Sequence, residues 1–592
     1  MPMIIPAAAT INQILQSANQ YVIPAYQRDY TWGKAEASDL LEDLAGFSAQ
    51  DASPLYLGTV ILQNDASGVS KSTSVIDGQQ RLTTLLLLLI ACRMRAAELN
   101  LSGVVNATQR KITWMDPNTD EARGCRLTAS VSIRNVFNYI AHPSWNGVFP
   151  DELHGKSVRN QSKKLSAPYK CFQSYVSDMN SEMLSKFIAA VGDAYVIAVS
   201  IEKKEEALQI FERTNARGKE LEATDLLKNF LFSMDVDGLE HKWKEIQDNS
   251  DGNILRLVKY FYVSKKGYIL KADLYRALKH LADQLGANSM TDELLEFSRF
   301  FYLTRKPTKE GVGAYFHRRK ITSISGNQEI AAHIVFSLQA LRAFGVVQYI
   351  PLVYSAIEML RKIDPKKAAS ANQLQRLILS LEKYHFVNNA ICDRVGNDVE
   401  RLYADECTRF NAATDLKDTF DKFISQLIAK LADENEFKSR FVSLQYPPRK
   451  NRALMTYIFD RFVNFGSGPG AWLPIFVLDP RLRTKNVHLE HYMPQVLPQK
   501  SGVSEATKDA IPNIGNLLPL YSAANIALSN EMPMRKKELL ENDYKNEIKN
   551  NGFVQVFLRD YSAQIENWDD IAIQQRANDL AVEAYTKVWK LF

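Results

Sequence analysis

Glu490 and His491 stand side by side, with Asn516 and then Asn525 following them in order. Hydrolysis of a phosphodiester asks for a base that takes a proton from water and a cation facing the charge that develops. It also asks for a group that holds the base in the right tautomer. A strand ending in acid–histidine, a second strand carrying an asparagine and a helix carrying another could supply all three around one divalent metal. His488 lies two residues before Glu490, on Glu490's side of a strand and away from His491. It is either a further ligand or orienting residue, or a packed or surface histidine.

A second group of polar residues lies near the other end. Asp77-Gly78-Gln79-Gln80-Arg81 falls between a strand and an apolar helix. Helix N-termini present unpaired N–H groups and suit anions such as phosphate. Gly78 lets the backbone approach closely, Arg81 offers a bidentate clamp, and Asp77 could hold a metal or a ribose. The plainer reading is a capped helix with Asp77 as N-cap, and physics alone favours it. No GxxxxGK[ST] run occurs anywhere, which argues against a P-loop mechanism. Upstream, Tyr26, Gln27, Arg28, Tyr30 and Trp32 mix stacking faces with hydrogen-bonding and cationic groups, suited to phosphate or base contact. The alternative is an amphipathic edge with Trp32 in the core. Asn215, Arg217 and Gly218 could complete a nucleotide pocket, or Arg217 could cap the preceding helix.

The elements that must position these residues follow from periodicity and turn residues. Leu57–Gln63 and Thr73–Ile76 read as strands of a hairpin, with Asp65 and Gly68 in the turn. A long helix starts near Gln79, so apolar that it should be buried on most sides. Ala194–Ile201 reads as a strand, and Glu205–Thr214 and Ala223–Met234 as helices. Residues 238–445 show mainly helical periodicity. Loop-forming residues at Tyr446-Pro447-Pro448 and at Gly466-Ser467-Gly468-Pro469-Gly470 mark a boundary before a mixed C-terminal part. The spans expected are 1–237, 238–445 and 446–592, in a mainly helical α+β chain.

Composition sets wider limits. With 592 residues, 46% hydrophobic and 23% charged, the chain is long enough for several domains and ordinary for a globular protein. No apolar run is long enough to span a membrane, and the N-terminus lacks a signal-peptide pattern, so a cytoplasmic protein is expected. The five cysteines are scattered, with no CxxC pair, and read as reduced core residues. The net charge of +5 permits nucleic-acid binding without requiring it. The basic clusters Arg305-Lys306, His317-Arg318-Arg319-Lys320, Arg449-Lys450-Asn451-Arg452 and Arg535-Lys536-Lys537 each read more readily as solvated surface.

Both motif groups resemble parts of one family. Met493-Pro494-Gln495 is similar to the run after the histidine of HNH nucleases, and Gly515-Asn516-Leu517-Leu518-Pro519-Leu520 to their GNLxxL strand. The segment from about 440 to 592 thus resembles the HNH-like C-terminal domain of GmrSD-type restriction endonucleases. DGQQRLTTL resembles the signature of that family's ParB-like N-terminal domain. The block Ile23–Trp32 and the block Phe211–Leu221 with Asp225-Leu226-Leu227-Lys228 agree with it over residues 15–235.

The resemblance implies a ParB-like nucleotide-binding domain, a helical connector and a C-terminal ββα-metal (HNH) nuclease. It implies His491 as general base with Asn516 beside it in the catalytic set. Glu490, Asn525 and in one reading His488 would lie near Mg²⁺ or Mn²⁺, although many HNH enzymes carry Asp where this chain has Glu490. Asp77, Gly78, Gln79, Gln80, Arg81, Asn215 and Arg217 would hold a nucleoside triphosphate, and Tyr26, Gln27, Arg28 and Tyr30 would sense DNA. The implied activity is NTP-coupled cleavage of modified phage DNA, with self-association left open. The rivals are a nucleotide-binding regulator with a vestigial nuclease and a toxin-like nuclease without modification sensing.

Overall fold

In the computed structural model, the apolar run after Gly78 forms the helix Gln79–Glu98, buried at every residue from Leu82 to Arg93. The described residues are all but 1–4, 25–26, 28, 50–54, 65–71, 116–118, 120, 151–155, 203–205, 207–222, 235, 395–396, 447–451, 468–474, 476–486, 500–501 and 592. The expected hairpin turn at Asp65 and Gly68, almost all of the expected helix Glu205–Thr214, and Arg449-Lys450-Asn451 lie outside them. Two compact units divide the chain: Met1–Lys244 with Tyr275–Thr291, and Glu245–Leu274 with Asp292–Phe592.

The strands in chain order are β1 (Ile5–Thr10), β2 (Gln20–Val22), β3 (Tyr56–Asn64), β4 (Ser72–Asp77), β5 (Thr113–Met115), β6 (Ala122–Cys125), β7 (Leu127–Thr128), β8 (Tyr195–Ile201), β9 (Val487–His491) and β10 (Leu517–Tyr521). A mixed six-stranded sheet in the first unit has the order β1-β8-β3-β4-β2-β7. Its centre is the antiparallel β3/β4 pair expected from the sequence, with β8 parallel to β3 and β2 parallel to β4. The β-branched and leucine-rich inner positions Val60, Leu62, Val75 and Val196 pack with the 79–98 helix into one core. Arg93 carries its charge into that core. Its guanidinium donates to the carbonyls of Ile140, Ala141 and His142, at the C-terminal end of the helix Arg134–Ala141. A helix C-terminus favours a cation.

Between Leu239 and Val442 every named element is helical. The starts carry side-chain caps: Thr308, Asn327, Asp415 and Asp433 each accept from N–H groups in the following turn. Phe336, Phe386, Phe437 and Tyr457 share one core with Ile514, Leu517 and Ala577–Trp589 residues, so the helical middle and the C-terminal part are joined by common packing. A buried polar chain runs through it. Arg461 Nε and Tyr457 hydroxyl donate to Glu382, and Trp589 Nε1 donates to the Tyr457 hydroxyl. Among the described residues no helix is long and apolar enough to cross a membrane. All five cysteines are free thiols, three buried and two half-buried.

The expectation of solvated basic clusters needs correction at two places. Arg319 is largely covered and paired with Glu358 and Glu296. Lys536 has no exposed surface at all. Lys536, on the helix Pro533–Asn542, and Arg319, just past the helix Lys309–Arg318, each turn inward to an acid.

His385 is fully buried, its Nε2 against the Tyr403 hydroxyl at 2.8 Å and its Nδ1 against Asn389 Oδ1. Burial pulls its pKa down to about 4, against a smaller upward pull from Asn389. An unfolded imidazole titrates near ~6.5, so between that value and about 4 the unfolded chain binds the extra proton. Stability from this group is complete above the higher value and is lost as pH falls through the window, by about 3 kcal/mol in all. The urea midpoint of the wild type should fall more steeply from pH 6.5 to 4 than that of His385→Gln; equal slopes would refute it.

Candidate active site

β9 and β10 pair antiparallel, with His491 opposite Leu517 and Glu490 opposite Leu518. The helix Ser522–Leu528 follows directly and packs on both strands. The strand–strand–helix order expected for the catalytic segment is therefore present. His491 ends the first strand, as expected. Asn516 sits one residue before the second strand, in the short 3-10 turn Ile514–Asn516.

His491 is buried, and its Nε2 lies 3.3 Å from the Tyr446 carbonyl and 3.4 Å from the Gln495 amide. A carbonyl only accepts, so the Tyr446 contact puts the proton on Nε2. The lone pair is then on Nδ1. Burial holds the imidazole pKa below its usual value, the Tyr446 bond opposes this, and the nearby Lys536 charge adds to it. A neutral ring with a free lone pair is a competent base at neutral pH. Tyr446 is itself pinned by its N–H to the Pro512 carbonyl at 2.7 Å.

Lys536 was legible only as part of a charged run, and it is the main residue that sequence reasoning missed. Its Nζ donates to Glu490 Oε1 at 2.5 Å and to the His491 carbonyl at 2.7 Å. Burial raises the pKa of Glu490 and lowers that of Lys536, and each partner opposes the shift of the other. A lysine three positions after Pro533, the first residue of a helix, is the one signal that could have pointed inward.

Asn516 is fully buried, and all of its carboxamide is engaged. Oδ1 accepts from Met493 N–H at 2.7 Å and Trp568 Nε1 at 3.0 Å. Nδ2 donates to the carbonyls of Met493 and Ile511. It fastens the turn immediately after His491. Gly515 is required by contact, since a Cβ there would lie 2.1 Å from the Ile573 carbonyl.

Asn525 lies on the 522–528 helix, and its Oδ1 is buried with no hydrogen-bond partner among the described residues. A carboxamide oxygen of this kind suits a hard divalent cation, which tolerates few protein ligands and keeps water. His488 is exposed on β9. Among the described residues no three His, Cys, Asp or Glu side chains group as a metal cluster, so His488, Glu490 and His491 are not gathered into one.

In the first unit the family blocks converge on Gln27. Its Nε2 donates to the Ile76 carbonyl at 2.7 Å, its Oε1 accepts from Gln79 Nε2, and its main-chain carbonyl accepts from Lys228 Nζ. Gln80 holds the next stretch, accepting from Thr31 and Trp32 N–H and donating to the Asp29 carbonyl. Tyr30 is buried with its hydroxyl 2.8 Å from Thr84, and burial pushes its pKa up to about 12. Gln27, Tyr30, Gln79 and Gln80 are thus internal braces. The expectation that the first two face DNA is corrected by their burial. Tyr26, Arg28, Asn215, Arg217 and Gly218 lie outside the described residues. Trp32 packs half-buried on the core.

Asp77, Gly78 and Arg81 remain half-buried at the edge of this junction. The N-cap is Gly78 rather than Asp77. It has φ +89°, and Asp77 Oδ1 accepts its N–H at 2.7 Å. A Cβ on Gly78 would meet Val60 Cγ2 at 2.9 Å, so glycine allows both the left-handed turn and the close approach to β3. Arg81 lies over Gly58, where a Cβ would stand 2.9 Å from its guanidinium. Burial lowers its pKa, while Asp77 and Tyr56 oppose the shift. Gly58 was missed, although a glycine inside a strand signals close approach.

Replacing Asn516 by Ala leaves buried N–H and C=O groups of Met493, Ile511 and Trp568 unpaired. A loss of about 3 kcal/mol is expected, read as an earlier thermal transition of the full chain. An unchanged transition would show that the turn after His491 does not depend on this amide.

No curated protein matches the chain. Residues 11–232 match the N-terminal domain of the GmrSD restriction endonuclease, and residues 431–583 match the C-terminal domain of GmrSD restriction endonucleases. These stretches contain the Gln27 junction and the His491 centre respectively, and together cover more than half of the sequence. The chain therefore belongs to the GmrSD restriction endonuclease family, with DNA as its substrate.

Proposed function

We propose that this protein is a modification-dependent DNA endonuclease of the HNH type whose cutting is coupled to binding and hydrolysis of a nucleoside triphosphate. Its host role would be cytoplasmic defence of a prokaryote against phage with altered DNA. The observation that carries the nuclease half is the histidine at the end of β9, on the first of two antiparallel strands followed by a helix, with Nε2 committed to a carbonyl. His491 Nδ1 takes the proton of a water whose oxygen attacks the phosphorus, the opposite ester P–O bond breaks, and the leaving oxygen takes a proton from solvent. Asn516 and Tyr446 keep the ring and the turn behind it in place. Glu490, next to it on β9, and Asn525, on the helix that packs on β9, would be the oxygen donors to a cation. Mg²⁺ or Mn²⁺, when bound, would offset charge developing on the phosphate.

The nucleotide half rests on the half-buried edge formed by Asp77, Gly78 and Arg81 at the start of a long helix. A helix N-terminus, a left-handed glycine and a guanidinium suit a polyphosphate. The braced stretch around Gln27 lies directly behind this edge, in what would be a ParB-like nucleotide-binding domain. Nucleotide state would reach cutting through coupled conformational equilibria.

The test is nicking of supercoiled plasmid and of glucosylated and phosphorothioate DNA, with and without NTP. His491→Ala should lower the rate by about 10²–10⁴ while the fold and nucleotide binding persist. Excess chelator should stop cutting by the wild type. Wild-type cutting by His491→Ala would remove the general-base assignment, and full activity in excess chelator would remove the one-metal reading.

Arg81→Ala should lower NTP hydrolysis and change how cutting responds to NTP, with the metal requirement unchanged. An Arg81→Ala protein hydrolysing NTP at the wild-type rate would return the Asp77–Arg81 stretch to a purely structural role.

A further inference from the structure

The six-stranded sheet buries one face against the 79–98 helix, through Val60, Leu62 and Val196. Side chains alternate across a strand, so Tyr195 and Ile197 on β8 belong to the opposite face. There β3 and β8 run parallel, with Tyr56 opposite Tyr195 and Thr59 opposite Ile197. Tyr56 is 46% exposed and Ile197 36%. Two large side chains that would normally be covered thus sit on an open patch of sheet.

That patch touches the edge to which the nucleotide reading assigns a triphosphate, and the inference rests on that reading. The Tyr56 ring packs against Tyr195 with centroids 5.4 Å apart and planes at 37°, and its hydroxyl lies 3.1 Å from Thr59 Oγ1. A side chain that reaches from residue 56 to residue 59 of its own strand lies along that strand, past Gly58. Arg81 arrives at the same place from the helix. A Cβ on Gly58 would stand 2.9 Å from its guanidinium, whose Nη1 is 3.4 Å from the Thr59 carbonyl. Tyr56 is near enough for its charge to act on Arg81, after the larger effects of burial and of Asp77. Any side chain at position 58 would push the guanidinium away from the ring.

We propose that Tyr56 is the surface on which the base of the bound nucleotide stacks, with Tyr195 behind it as the positioning residue that sets its tilt. Arg81 and the Gly78 turn then face the phosphates. One ribose separates a base from its first phosphate, and here an exposed ring and a guanidinium meet over one glycine. An apolar protein partner laid on the patch would bury the Arg81 charge further without adding a counter-charge. A nucleotide brings a flat ring and an anion together. Every base has a π-face, so stacking discriminates by ring area more than by identity. Tyr56, Thr59, Tyr195 and Ile197 offer rings, an aliphatic chain and hydroxyls, which suits a site that takes purines ahead of pyrimidines and accepts both.

The experiment is calorimetric titration of the full chain, in one magnesium buffer, with the β,γ-imido analogues of ATP, GTP, CTP and UTP and with inorganic tripolyphosphate. Wild type should bind the purine analogues about ten-fold or more tightly than tripolyphosphate, with the pyrimidines between. Tyr56→Ala should lose about ten-fold for the nucleotides and leave tripolyphosphate binding within about two-fold, and Tyr56→Phe should bind like the wild type. Tyr56 is a half-exposed ring, and the tripolyphosphate titration reports whether the variant keeps its fold.

Unchanged nucleotide binding by Tyr56→Ala would overturn the proposal, and so would equal loss for tripolyphosphate. Wild-type protein that binds tripolyphosphate as tightly as the nucleotides would also overturn it and leave the phosphate edge standing. Wild-type protein that binds neither would remove the nucleotide reading itself. Light scattering covers the remaining occupant: a dimer that Tyr56→Ala turns into a monomer would make the patch an interface between copies and sink the base-stacking assignment.

Discussion

Main chain that leaves a strand or helix inside a packed core must still have its N–H and C=O groups satisfied. In this protein buried carboxamides meet that requirement at both candidate sites. Gln27 and Gln80 hold the stretch from Asp29 to Trp32 and the end of β4, and Asn516 holds the turn after His491. A carboxamide offers both a donor and an acceptor and carries no charge. It can therefore clamp irregular backbone from both sides without the desolvation cost of an ion. The functional segments are irregular because they must expose particular atoms, and the amides make that irregularity stable.

Buried cations follow a related logic. Arg93 is accepted by carbonyls at a helix C-terminus, and Arg576 donates to the Gly515 carbonyl while lying 4.5 Å over the Phe557 ring. Burial pulls the Arg576 pKa down to about 10. Such charges tie neighbouring elements together because a half-satisfied guanidinium in a core is expensive. Lys536 differs in that its carbonyl and carboxylate partners belong to the strand that carries the base. Its position therefore bears on chemistry as well as on packing.

Glycine closes the remaining distance. Gly78 turns the chain through a left-handed conformation against β3, and Gly515 lets the helix Asp570–Glu583 approach the turn that carries Asn516. Gly515 sits beside the clamping Asn516, and Gly78 beside Gln79, which donates to the clamping Gln27. The clamp reaches its partners only because the backbone beside it can come so near.

The sequence by itself determined the helical middle, the β3/β4 pair, the buried 79–98 helix and the strand–strand–helix order around His491. It also determined the family, because these depend on local periodicity, turn residues and ordered motifs. Periodicity is written in nearest neighbours along the chain, so it can be read there. Tertiary structure alone decided which polar residues face inward. It turned Gln27, Tyr30, Gln79 and Gln80 into braces, moved the helix cap from Asp77 to Gly78, and drew Lys536 out of a charged run to Glu490. It left His488 in solvent and Asn525 Oδ1 buried without a partner among the described residues. The physical reason is that a polar side chain's role depends on which distant carbonyl, amide or carboxylate meets it. Those meetings reach across 46 residues, between Glu490 and Lys536, and 201 residues, between Gln27 and Lys228. No local pattern encodes contacts at such separations.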